Sequence, residues 1–149
     1  MKLFLVLIIG SLGGLAGALQ GQSVGIMEEK AGTLVSTFVT YGGGGLMIAI
    51  AMLVSRGARL SDLKGAPWWI YTAGLMGLVV VASLGITVSQ LGLGAGLTLF
   101  TAASITLGAL LEASGIFGDG QTLDLRRVAG IVIVVVGTWL VVGTDRVVG

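Results

Sequence analysis

With 149 residues, 55% of them hydrophobic and only 10% charged, the chain has too little polar surface to face water on all sides; a soluble domain carries about 25% charged residues. Its solvent is therefore lipid, in keeping with a mean hydropathy of +1.07. The net charge of +1 says little about partners and no basic patch points to nucleic acid, while the lack of cysteine and histidine excludes disulfides, thiolate or imidazole metal sites and the usual nucleophile–base pairs.

The pattern predicts an all-α membrane protein, a single domain over 1–149 with five transmembrane helices at about 3–22, 32–55, 67–88, 95–117 and 127–143. The first predicted span, LFLVLIIGSLGGLAGALQ, follows Lys2. Its apolar tract is too long for a secretory signal, and further spans follow it. Gly10, Gly13, Gly14, Gly17 and Gly21 form a small-residue stripe, with Gly10, Gly14 and Gly17 the predicted helix-packing positions. Gln20 and Gln22 end the span, and a glutamine there either lines a cavity or sits at the water interface; Gln20 is taken as a solute-site candidate.

Glu28, Glu29 and Lys30 then read as a short solvated turn. The second span carries Thr33, Ser36, Thr37, Thr40, Tyr41 and Gly44 at helical spacing on one face. Hydroxyls in lipid bond back to their own helix, so this face is equally a packing surface or a solute-facing wall. Thr37, Thr40 and Tyr41 are the binding candidates on the second reading. Gly42 to Gly45 weaken the helix in mid-span, a feature tolerated where protein or a cavity covers it.

After a basic loop with Arg56, Arg59, Asp62 and Lys64, Pro67 opens the third span, where proline loses no needed hydrogen bond. Trp68 and Trp69 follow where an aromatic belt places interface anchors. An uncharged loop, Ser89 to Gly96, joins spans three and four as a tight hairpin. The fourth span presents Thr101, Ser104, Gly108 and Glu112 on one face, small and hydroxyl-bearing except for the acid. Glu112 has two readings: a structural contact with the headgroups or with Arg126 and Arg127, or a wet cavity where it binds a cation or exchanges a proton. Thr101 and Ser104 join it as binding candidates, and Gly108 as a packing position. The fifth span is valine-rich and apolar all round, facing lipid or another subunit.

Basic residues set the orientation. Lys2, Arg56, Arg59, Lys64, Arg126 and Arg127 fall on the side of the amino terminus, Lys30 and Arg146 on the other. The amino end is thus expected in the cytoplasm and the carboxyl end outside. No Gly-x-x-x-x-Gly-Lys loop is present to hydrolyse ATP, so any transport runs downhill or on an ion gradient. An enzyme is not expected, because no general acid–base pair is available, and neither cofactor nor metal is called for. The competing class is a non-transporting membrane scaffold or assembly subunit, favoured by the scarcity of polar groups.

The tracts PWWIYTAGLMGLVVVASLGI, LGALLEASGIFG and LDLRRVAGIVIVVVGTWLVV resemble the small YdcZ-type proteins of the drug/metabolite transporter superfamily. The likeness is most specific at Pro67-Trp68-Trp69, at Gly115-Ile116-Phe117-Gly118 and at Arg127 with Gly130. It implies a bacterial inner-membrane protein of five spans, equivalent to half of a ten-span EamA-like transporter with inverted repeats. Such units pair in opposite orientations, as homodimers or as heterodimers with an oppositely inserted five-span paralogue, and move a small-molecule solute such as a metabolite or a cationic, drug-like compound. Alternating access follows, with spans one to four enclosing the site. Two departures stand out. Gln20 and Gln22 occur with no Asn nearby, where the family usually has a Gln then an Asn. Glu112, Ala113 and Ser114 stand where the family often has an Asp-His pair.

Overall fold

The computed structural model describes residues 2–55, 60–116 and 122–144, with the backbone alone given for Lys2, Leu60, Asp62 and Thr144. Arg56, Arg59, Phe117, Gly118 and Arg146, on which parts of the topology and resemblance arguments rest, lie outside the described residues. Almost all of the described chain is helical: α1 (Lys2–Val54), 3-10 turns at Leu60–Leu63 and Trp68–Thr72, α2 (Ala73–Leu91), α3 (Leu93–Ser114) and α4 (Leu125–Thr144). Four stretches are long and apolar enough to cross a membrane, Leu3–Val54, Trp68–Leu91, Leu93–Ser114 and Leu125–Gly143.

The first two predicted spans fall within α1, which is broken at one residue. Gly32 takes φ 79°, ψ 171°, a conformation that side chains exclude. Helix runs up to it from both sides, as arms 2–31 and 33–54. The arms fold back on each other: Ser36 bonds to Glu28, and Gln20 shares a cavity with Gly44 and Gly45. Both pairings are symmetric about Gly32. In a straight helix Gln20 and Gly44 would be about 36 Å apart at 1.5 Å per residue. Gly92 repeats the device between α2 and α3 with φ 81°, ψ 165°. The expected solvated turn and the expected uncharged hairpin loop are therefore each compressed into one glycine, with Glu28 to Lys30 inside helix.

α2 packs between α1 and α3, and α4 packs against α3. Lipid gives helices no hydrophobic drive to associate, so contact depends on how closely backbones approach. Valines fit glycine hollows at the α1–α2–α3 junction. A Cβ at Gly25 would lie 2.6 Å from Val88 Cγ1, one at Gly85 would lie 2.9 Å from Val24 Cγ1, and one at Gly96 would lie 3.1 Å from the Val88 backbone. Val24, Val81, Leu84, Val88 and Ala95 are buried, as is Ala102 further along α3, while Leu3 to Ile9, Phe38, Met47 and Trp139 are exposed, as a lipid-facing perimeter requires. Around a would-be Cβ at Gly10, Gly14, Gly17 or Gly108 nothing of the chain lies within 4 Å.

Candidate functional site

The hydroxyl stripe of arm 33–54 is where polar groups gather. Thr33 and Ser36 sit in the first turn of this arm, next to the end of the preceding one, and both meet the Glu28 carboxylate. Thr33 Oγ1 donates to Glu28 Oε1 at 2.6 Å, and Ser36 Oγ lies 3.1 Å from Glu28 Oε2. Ser36 has no exposed surface. Glu28 is half-buried, and the bare backbone of Gly85 on α2 makes room for it: a Cβ there would come 3.4 Å from Oε2. A helix N-terminus favours a carboxylate, which adds to the attraction.

One turn further along, Thr40 Oγ1 donates to the Ser36 carbonyl at 2.8 Å. Thr40 also lines a cavity of about 400 Å³ with Gln20, Tyr41, Gly44, Gly45, Ile48 and Val81. The two arms of α1 and one face of α2 thus border an open groove with an amide, two hydroxyl-bearing side chains and exposed glycine backbone. The Gly42–Gly45 run stays helical and leaves the cavity wall thin. Tyr41 reaches across to α2, its hydroxyl filling the place a side chain at Gly77 would take. Between the two polar groups, Thr37 Oγ1 is buried with no hydrogen-bond partner. A small site with few convergent polar groups among apolar walls is what a solute cavity needs.

Of the residues singled out from sequence, the structure brings Gln20, Thr40 and Tyr41 together and sets Thr37 beside them. It places the α3 candidates elsewhere. Thr101 lines a groove between α3 and α4, and Ser104 is exposed, bonded to the Phe100 carbonyl of its own helix at 2.8 Å. Glu112 pairs with Arg127 Nη1 at 2.9 Å across the α3–α4 connection, both side chains about half exposed. Trp68 and Trp69 stand exposed at the start of their 3-10 turn after Pro67. Between α3 and α4 lies a larger groove, about 500 Å³, walled by Leu99, Ala102, Leu107, Val135 and Trp139 and nearly devoid of polar atoms.

Glu28 is the residue that the sequence reading passed over. Two acids and a lysine in a row look like a water-exposed turn, and nothing local marks one of them as bonded. The signal lay further on, in Thr33 and Ser36, two hydroxyls just past a glycine. Among the described residues no three His, Cys, Asp or Glu side chains come together as a metal would need.

A family model described as "Putative inner membrane exporter, YdcZ" matches residues 5–140. No match was found among curated proteins or among solved structures.

Proposed function

Because the chain belongs to the YdcZ family and is a multi-pass inner-membrane protein, we propose that it is a secondary transporter subunit that exports a small metabolite or a cationic, drug-like solute by alternating access. The observation that carries this reading is the cavity between the arms of α1 and α2, where Gln20, Thr40 and Tyr41 converge. The amide and hydroxyls orient a solute by hydrogen bonds, and Ile48 and Val81 offer it apolar contact.

In this reading both arms of α1 cross the bilayer. Arm 33–54 alone spans about 33 Å at 1.5 Å per residue, enough for a hydrocarbon core of about 30 Å. The chain then makes five crossings, and the basic residues place the amino end in the cytoplasm and the carboxyl end outside. Two such units pair in opposite orientations. The α3 face with Thr101, Ser104 and Glu112, exposed within one chain, is open to the second unit, and so is the Gly10–Gly17 stripe. Close passage of a partner helix over glycines needs no other side-chain chemistry.

The test is efflux of ethidium, as a cationic probe, from cells expressing the chain. Expression lowers dye accumulation, while Gln20→Leu and Tyr41→Phe at equal membrane abundance restore it. Equal efflux from cells with wild type, either variant or no chain would remove the transport reading. A reporter fused after Gly149 is active only outside the cytoplasm; equal activity on both faces would instead show dual insertion.

A further inference from the structure

Among the described glycines, Gly25, Gly77, Gly85 and Gly96 are approached most closely, each with a neighbour at or inside 3.1 Å from the place of a Cβ. What fills the four hollows differs. At Gly25, Gly85 and Gly96 the nearest atoms belong to Val24 or Val88, either a branched side chain or the backbone itself. A valine holds one χ1 rotamer in a helix and cannot turn aside. At Gly77 on α2 the hollow takes the far end of Tyr41 from arm 33–54. The hydroxyl comes first, then Cζ at 3.0 Å and Cε1 at 3.4 Å from the place of a Cβ. Tyr41 also lines the cavity with Gln20, Gly44 and Gly45. The same side chain thus fills a packing hollow and borders the candidate solute site.

Little fixes Tyr41 in that hollow. Its hydroxyl faces bare glycine backbone and has no hydrogen-bond partner among the described residues, although a covered phenol usually finds one. One turn on along its helix stand Gly44 and Gly45, which carry no side chain to bar the ring from swinging out. Both glycines and the Gln20 amide line the cavity. The open side for the ring is therefore the cavity, where a polar group is available to the hydroxyl. At about 400 Å³ this space is near the small end of solute sites, ~300–1,000 Å³. A ring that swings into it takes a deciding share.

We propose that Gly77 sets how wide a solute the cavity admits, and that it does so through Tyr41. Having no side chain, Gly77 lets the phenol ring rest against α2; a larger residue there turns the ring into the cavity. Gly77 is a positioning residue, and Tyr41 is the group that meets the solute. Planar, multi-ring compounds are the class that a displaced ring excludes first, and small metabolites the last. That a solute is carried rests on the function proposed above; the width limit does not.

Thiol labelling of the purified full chain in detergent reads that width without transport. The chain has no cysteine, so Gly44→Cys on the cavity wall supplies a single thiol. It is labelled with N-ethylmaleimide, which is small, and with pyrene maleimide, which is wide and flat. Adding Gly77→Ala slows the pyrene reagent severalfold and leaves N-ethylmaleimide unchanged. Adding Tyr41→Phe as well restores pyrene labelling, because without the hydroxyl the closest contact is the one at 3.0 Å, which a small shift relieves. Slower or faster labelling by both reagents, or no recovery with Tyr41→Phe, would show that the alanine acts on helix packing and overturns the proposal. Unchanged labelling overturns it too. Should Gly77→Ala not fold, Tyr41→Trp replaces it: the indole overfills the same hollow, so the same selective loss is expected and unchanged labelling is contradictory. A selective loss in a protein that exports no ethidium keeps the width limit and removes the transport reading; export with unchanged labelling does the reverse.

Discussion

Among the described residues, two acids that link separate helical segments are held in opposite ways. Glu112 joins a fixed cation, Arg127, at an end of the bundle where both side chains are half exposed. Glu28 joins two hydroxyls at the junction of α1 and α2, one of them wholly buried. The charge-assisted bond to the guanidinium ties α3 to α4. The hydroxyls tie the end of one α1 arm to the start of the other. The helices around them differ likewise: α1 and α2 interlock valine into glycine around a polar cavity, whereas α3 and α4 meet loosely along an apolar groove. The first half gathers polar groups between closely packed helices, and the second presents an apolar surface.

This contrast can be broken most severely at its closest contact. Gly25→Leu drives a side chain into Val88, and overpacking of this kind costs about 1–3 kcal/mol. Gly108→Leu on α3, where a Cβ meets nothing within 4 Å, leaves the isolated chain's stability unchanged. Chemical unfolding in mixed micelles measures both; equal losses would deny that the packing is uneven. Next comes Gly32→Val. It forces a β-branched residue into φ 79° and costs about 1–3 kcal/mol, read as a lower melting temperature.

The hydroxyls sharpen the comparison further. Ser36→Ala removes a bond to a half-buried carboxylate, worth about 1.5–3 kcal/mol for a charged acceptor. Ser104→Ala removes only a bond to its own helix and shifts stability by less than about 0.5 kcal/mol. The smallest effect belongs to the exposed ion pair. A double-mutant cycle with Glu112→Gln and Arg127→Gln should give a coupling below about 1 kcal/mol that falls with added salt. A larger, salt-insensitive coupling would move Glu112 out of its peripheral role.

How far this could be read beforehand varies by residue. Helical spacing alone put Thr33, Ser36, Thr37, Thr40 and Tyr41 on one face, and Gln20 stood out as an amide at the end of an apolar run. The partners of that face were invisible, because contact between arms depends on a chain reversal at Gly32, one glycine among 27. A turn was expected at Glu28 to Lys30, but nothing in the sequence marked Gly32 alone as the reversal, with helix continuing on both sides of it. For the same reason Glu28 read as a solvated turn residue. Glycine marks where helices approach, yet which ones do so within this chain is decided by register: Gly21, Gly25, Gly85 and Gly96 have close neighbours, and the Gly10–Gly17 stripe has none. The pairing of Glu112 with Arg127 was one of two open readings, and only the α3–α4 geometry brings the charges to 2.9 Å.

Every part of this account depends on the two arms of α1 lying side by side. The chain has no cysteine, so spin labels can be placed cleanly at Gln20→Cys and Gly44→Cys. Double electron–electron resonance in lipid then reads the distance between them. Paired arms predict a separation set by neighbouring helix axes, about 10 Å, plus the reach of the labels. A distance near 36 Å, that of an unbroken helix, would contradict the cavity and the Glu28 cluster together.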